Sequence, residues 1–483
     1  MARDVDTVEL EEKRICFKCV GESFLSRRIE TEGTVTECSY CGDEDPSFDL
    51  KEMSDIVATA FEQHYQRTSD QPTSMQYAML KDKESDYEWD REGEPVEDVI
   101  AAATSIPQEA ATDIRSILAD RFSDWASAMV GEETEFDGES YYERKDVRDG
   151  RWNADWASFE RSLKTEARFF DQSVTRHLSE LFDGIDKMMT REGTPILIEA
   201  GPAAAISSLY RAPAFPVYRE IHAALARPDI QLGPPPSAEA RAGRMNARGI
   251  SVFYGANDPL VALAEVRPPA GCTVSVARFL IIRPIKLPNL TALRDAMTEG
   301  SIFDPHHLDR LQRAAFLRQL SDRITMPVVP DDEELGYLVT QAIADFLAAA
   351  NEPKIDGIVF PSVQAKGAAR NIVLFHKAAR VVPMEVPEGT KIEVNDGYAT
   401  EDGREQDYSE YEKTLRTNPA ATAAAPRVPE FDDPPPVRDL DKREPTLSVD
   451  PDSVDVHAVE AVQYTTDRIR VRRHRCEDVD PPF

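Results

Sequence analysis

Two groups of residues in this 483-residue chain have the types and spacing that chemistry needs. The first lies in the run RMNARGISVFYGANDPLVALAEVR, residues 244–267. Val252 and Phe253 favour an extended strand that ends at Tyr254, and Gly255 is expected to break it. Asp258 then offers an N-cap oxygen and Pro259 a first-turn residue, so residues 260–266 read as a short helix. Glu265 falls four residues after Val261, on the same helical stripe. A carboxylate on an apolar stripe is costly to bury without a partner, which marks Glu265 as a site candidate. The plainer alternative is a glutamate at the helix edge, paired with Arg267 or open to water.

The second group is Cys16, Cys19, Cys38 and Cys41, two Cys-x-x-Cys pairs separated by 18 residues. Four thiolates at this spacing close a tetrahedral zinc site of the ribbon type. A disulfide pair and a thioredoxin-like redox site are the alternatives; a cytosolic chain without a βαβ pattern disfavours both. A closed four-cysteine site leaves no open position, so zinc there would be structural. Cys272 and Cys476 read as unpaired and incidental.

The elements that must position these residues are arranged along a chain of uneven charge. Formal net charge is −32, yet residues 205–384 carry 20 Lys and Arg against 17 Asp and Glu, a net of +3. The acidity therefore sits in the flanks, and the middle segment has the spare cations an anionic ligand needs. Such a chain is a poor binder of a phosphate backbone, so no nucleic-acid partner is expected. The opening, MARDVDTVELEEKR, is charged and lacks an apolar core, and no apolar run reaches spanning length. A cytoplasmic protein with no membrane association is expected.

Residues 50–66 and 107–125 have apolar positions at helical spacing, and residues 152–189 give the longest helical pattern, with Trp156, Phe159, Leu163, Phe169, Phe170, Leu178, Leu181 and Phe182. Residues 82–98 and 131–149 read as acidic loops, and residues 304–323 as a helical insertion. His306, His307, Glu333 and Glu334 are given no role. The expected organisation is a zinc ribbon (1–48), a helical domain (49–200), a mixed α/β domain (205–384), an acidic Pro- and Ala-rich linker without fixed structure (385–452), and a hairpin-like end (453–483). In that end, residues 454–473 alternate around Thr465-Thr466-Asp467, as a hairpin would, and the basic run 468–475 is expected to cover an acidic surface of the same chain; a nucleic-acid patch is the sharper alternative, which the acidic whole outweighs.

Four segments in order resemble the RES domain, the toxin half of a class of bacterial toxin–antitoxin pairs. They are LYRAP (209–213), GRMNARGISVFYGA (243–256), ALAEVRP (262–268) and DGIVFPSVQAKGAARNIVLF (356–375). The resemblance implies an α+β fold similar to that of ADP-ribosyltransferase toxins, an enzyme that destroys NAD, and a neutralising antitoxin-like partner. The zinc ribbon, the helices and the EARFF run at 166–170 are similar to the helical domain that precedes some RES domains, itself related to the HEPN fold. HEPN ribonucleases need an Arg and a His a few residues apart; Arg168 and His177 are too far apart, so RNA cleavage is not expected.

NAD offers a doubly anionic pyrophosphate and a cationic nicotinamide that leaves through an oxocarbenium-like ribose. A site must supply cations, an aromatic wall and a carboxylate near the ribose. At the family's positions the chain has Arg211 after the strand-like SSLY run, Arg244 before the Asn-Ala-Arg-Gly turn, Tyr254, Glu265, and Ser362 after the strand 357–360. Arginine binds phosphate through two parallel hydrogen bonds. Tyr254 is placed to stack on nicotinamide or to bond through its hydroxyl. The assigned roles are Glu265, Tyr254 and Arg211 catalytic, Arg244 and Ser362 substrate-binding. Read alone, Arg211 is a solvated loop residue and Ser362 a turn former; the ordered set together with the resemblance reverses that.

No Gly-x-Gly-x-x-Gly, P-loop or Gly-x-Ser-x-Gly motif occurs, so NAD is expected as substrate and not as redox cofactor. The expected activity is a glycohydrolase (a hydrolase) or a phosphorylase (a glycosyltransferase) acting as a toxin or defence effector. ADP-ribosyl transfer to a macromolecule is the second reading. A zinc-containing interaction protein with an inactive domain is the third.

Overall fold

The structure is a computed structural model that describes residues 5–82, 86–124, 126, 129, 131–166, 171–215, 218–326, 333–362, 364, 367–387, 389–400, 403–405, 407–414, 441–463 and 466–474. The fold is α+β and divides into two compact units. One comprises residues 1–159, 188–194 and 294–320, the other 160–187, 195–293 and 321–483.

The first unit begins with a three-stranded antiparallel sheet in which β3 (Glu44–Asp49) lies between β1 (Arg14–Cys16) and β2 (Thr34–Glu37). The helix α1 (Ser23–Glu32) is capped by Glu22, whose carboxylate accepts from Leu25 N. Asp49 caps α2 (Leu50–His64) in the same way through Glu52 N, and α3 (Gln108–Arg121) follows Pro107. Ile15, Leu25, Ile29 and Phe48 share one buried core with Met53, Val57, Phe61, Ile114 and Leu118. The expected boundary at residue 48 therefore falls inside a single core. The expected loop at 82–98 ends in a helix, Val96–Thr104, because Val96, Val99 and Ile100 are buried on one face.

The long helical pattern at 152–189 is, among the described residues, four pieces: Gly150–Arg161, a π-helical turn Ser162–Glu166, Gln172–Phe182 and a 3-10 turn Ile185–Lys187. Asp171 restarts the helix by capping Ser173 N. The expected Phe169, Phe170 and Arg168, like Trp125, lie outside the described residues.

The second unit is built on a seven-stranded sheet in which every pairing is antiparallel. Its strands are β4 (Ser208–Arg211), β5 (Ala214–Phe215), β6 (Phe253–Ala256), β7 (Thr273–Ile281), β8 (Gly357–Pro361), β9 (Arg370–Leu374) and β10 (Leu447–Ala458), in the order β5-β7-β4-β6-β9-β8 with β10 paired to β7. Alternation puts Leu209, Phe253, Ala277, Phe279, Ile372 and Leu447 into one core. On the other face Ala256, Val274 and Val276 pack with Val261 and Ala262 of α4 (Pro259–Glu265). Burying a side chain of Val261's size contributes about 1.5–3 kcal/mol, which holds this seven-residue helix on the sheet. The elements that matter for the site are completed by α6 (Leu338–Ala349) and by the end of α5 (His307–Thr325), whose residues up to Leu320 belong to the first unit.

Three expectations are corrected here. Gly255 does not end the strand; it pairs with Ile372 inside β6. A Cβ there would stand 2.8 Å from Phe253 Cε1, so close approach rather than a break requires glycine. The expected linker 385–452 contains paired strands, Thr390–Asn395 with Ser409–Thr414 and Tyr398–Thr400 with Gly403–Glu405, while residues 415–440 lie outside the described residues. Finally, the alternation at 454–473 is not a hairpin. Its first arm belongs to β10, which pairs with β7, and residues 466–474 form no strand and are exposed. Arg475 and Cys476 lie outside the described residues. Among the described residues, no helix is long and apolar enough to cross a membrane.

Candidate active site

The Asp258 side chain accepts from Leu260 N and Val261 N, and Pro259 opens the first turn of α4. This fixes the helix against β6, and its last residue is Glu265. That carboxylate is half-buried, and Ser362 Oγ lies 2.5 Å from its Oε1. Ser362 sits one residue beyond β8, held there by its own N–H to Ala369 O at 3.0 Å. Arg267 adopts φ 46°, a left-handed conformation that arginine rarely takes.

Two guanidinium groups are built alike. Arg211, the last residue of β4, lies over the Phe253 ring at 5.2 Å and donates Nη1 to Tyr254 O at 3.1 Å. Burial lowers its pKa to about 10, which leaves it charged at neutral pH. Arg244 lies over the Tyr337 ring at 5.4 Å and donates Nη1 to Ile324 O at 2.5 Å and Met326 O at 3.0 Å, at the end of α5. In both, among the described residues, the Nε and Nη2 edge has no protein acceptor. That edge is the half of the fork that matches two oxygens of a phosphate.

Tyr254 has its hydroxyl engaged. It donates to Asn246 Oδ1 at 2.9 Å and accepts from Met245 N at 3.0 Å. Burial raises its pKa to about 12, against the lowering effect of the Met245 N–H. The hydroxyl thus fixes the turn that carries Arg244. A Cβ on Gly243 would stand 2.8 Å from that oxygen, so the turn needs glycine at this point.

These parts surround one cavity of about 430 Å³, lined by Arg211, Arg244, Tyr254 and Glu265 together with Tyr210, Arg267, Tyr337, Phe360, Gln364 and Asn371. Its size is that of a small-molecule site, which typically spans about 300–1,000 Å³. Glu265 is the one carboxylate among these described residues, against three arginines. Residues 208–395 match the family model of the RES domain. This chain carries a RES domain. No curated protein and no solved structure matches the chain.

Of the five expected site residues in the RES domain, four line the cavity, and Ser362 reaches it through Glu265. Tyr337, Phe360 and Asn371 were not foreseen. Phe360 and Asn371 sit on β8 and β9, where the apolar run concealed them. Tyr337 comes from a segment without a motif, and nothing nearby in sequence pointed to it. Of the residues given no role, His307 is buried in the first unit and does not line this cavity.

The expected metal ligands come together as well. The Sγ atoms of Cys16, Cys19, Cys38 and Cys41 all lie within 4.8 Å of one another. Cys16 and Cys41 are 3.6 Å apart, Cys19 and Cys38 3.9 Å. Sulfurs on a tetrahedral ion at about 2.3 Å stand about 3.8 Å apart, so the donor set fits a metal ion. Burial would raise the Cys38 thiol, but N–H groups of Tyr40, Cys16 and Cys41 outweigh it and bring the pKa down to about 7. Tyr40 between the last two ligands donates to Asp113 Oδ2 at 2.8 Å, and Lys13 reaches the same oxygen at 2.6 Å. The four-cysteine cluster is thereby tied to α3. Cys272 is a half-buried free thiol.

Proposed function

We propose that the RES domain cleaves the nicotinamide–ribose bond of NAD, with water or phosphate as acceptor. One observation carries the reading: among the described residues, two arginines whose Nε–Nη2 edges have no acceptor and a single carboxylate, itself held by a serine, face one cavity. The arginine edges suit the pyrophosphate. The Glu265 carboxylate suits the positive charge that develops on the ribose as nicotinamide leaves. Tyr254 acts mainly by fixing the Arg244 turn, because its hydroxyl is already bonded. The function is that of a toxin or defence effector in the cytoplasm, where NAD is available, and an antitoxin-like protein is the partner that would restrain it. In the first unit the four-cysteine cluster holds a structural zinc ion.

The test is incubation of the purified chain with NAD, with and without phosphate, while nicotinamide is followed by chromatography. Release that is abolished by Glu265→Gln supports cleavage, and the ribosyl product identifies the acceptor. Undiminished release in that variant, or none from folded native protein, overturns the reading.

A further inference from the structure

Arg211 rests on Phe253, a fully buried core residue of the sheet. Arg244 has no such floor of its own. It sits in a turn, and what holds it comes from residues 324–341, about 80 to 100 positions away in sequence. Nη1 is taken by the Ile324 and Met326 carbonyls at the carboxyl end of α5, the end that favours cations. The backbone beneath is clamped by the first turn of α6: the Thr340 hydroxyl bonds Arg244 O at 2.5 Å, and Gln341 Nε2 donates to Gly243 O at 2.8 Å. Tyr337, at the N-cap position of α6, supplies the ring under the guanidinium and also lines the cavity.

We propose that Tyr337 is the positioning residue for Arg244, setting the guanidinium so that its Nε–Nη2 edge meets the diphosphate of the substrate. A guanidinium stacked on a ring keeps its plane fixed, and a fork with a fixed plane loses less freedom when it closes on two phosphate oxygens. The donors already committed to carbonyls prevent the head from turning over. Tyr337 thus does for the second arginine what Phe253 does for the first. The inference rests on the NAD reading for the identity of the ligand, and only on the geometry for the role.

The test uses the full chain and ADP-ribose, which carries the diphosphate without nicotinamide. In calorimetric titration, Tyr337→Leu is expected to weaken ADP-ribose binding about 3- to 30-fold, the range of a guanidinium–ring contact. Tyr337→Phe keeps the ring and is expected to stay within about twofold of native, and inhibition by nicotinamide is expected to be unchanged in both. In turnover, KM for NAD rises by the same factor in Tyr337→Leu while kcat holds, the signature of binding shared by ground and transition states. With Arg244→Lys as background, Tyr337→Leu is expected to cost little more. Should Tyr337→Leu not fold, Tyr337→Met takes its place. Unchanged ADP-ribose affinity, an equal loss of nicotinamide inhibition, or a full extra loss in the Arg244→Lys background overturns the proposal. A native chain that binds ADP-ribose in a Tyr337-dependent way but releases no nicotinamide overturns the cleavage reading and leaves this one standing.

Discussion

Ser362 Oγ bonds Glu265 Oε1 at 2.5 Å across 97 positions of sequence. The contact joins the end of α4 to the segment after β8 and fixes one carboxylate oxygen.

Removing that hydroxyl frees the carboxylate to change rotamer. Hydrogen bonds to charged groups contribute about 1.5–3 kcal/mol, so Ser362→Ala is expected to lower kcat for nicotinamide release roughly 10- to 100-fold. KM should move little, since Ser362 does not line the cavity. Steady-state kinetics check this, and a KM effect with unchanged kcat would instead make Ser362 a binding residue.

The four-cysteine cluster predicts a different loss. Ile15, Val20, Leu25 and Phe48 around the cysteines belong to the same core as α2 and α3, so metal removal should unfold more than the knuckle. One zinc per chain is expected by elemental analysis. A strong chelator or Cys16→Ser should lower thermal stability by several kcal/mol, on the order of what structural zinc contributes in small domains. Melting followed by circular dichroism reads the effect; no change after demonstrated metal loss would show the cluster to be dispensable for the fold.

Acid should weaken the first unit through two buried histidines. His64 ends α2 and His307 begins α5, their rings 5.8 Å apart, and among the described residues His64 Nε2 and His307 Nδ1 have no hydrogen-bond partner. Burial first, then the charges of His307, Arg144 and Lys145, lower the His64 pKa from 6.5 to about 4. Burial and Arg310 lower His307 too, with Asp304 opposing. The unfolded chain takes up the proton near 6.5 and the native chain only near 4. Stability is therefore full above about pH 6.5 and falls as pH drops toward 4, by roughly 2–3 kcal/mol from His64. Denaturant melts at several pH values should show a shallower decline in His64→Gln than in native protein. Parallel declines would assign the acid sensitivity elsewhere.

What could be read from sequence was local. Asp258 and Pro259 announced α4, and two Cys-x-x-Cys pairs announced the four-cysteine cluster, because capping and ligand spacing are written within a few residues. The four arginine, tyrosine and glutamate positions on the cavity were legible through motif order. Periodicity misled where the backbone departs from it. The stripe at 152–189 continues through a π-helical turn, and the alternation at 454–458 satisfies a distant strand instead of its neighbour. Tyr337 was invisible because its partner, Arg244, lies 93 positions earlier, and only the folded chain brings ring and guanidinium together.

β10 has a consequence for the order of events in synthesis. The segment matched to the family ends at residue 395, yet Leu447 and Val449 are buried in the core of its sheet, and β10 pairs along the whole of β7. Until the ribosome has released residues 447–458, β7 presents an open edge of the kind that recruits foreign strands. The sheet that carries Arg211 is thus closed by a strand that follows the matched segment, and a nascent chain or one cut between the two carries the cavity residues before it has the strand that pairs with β7.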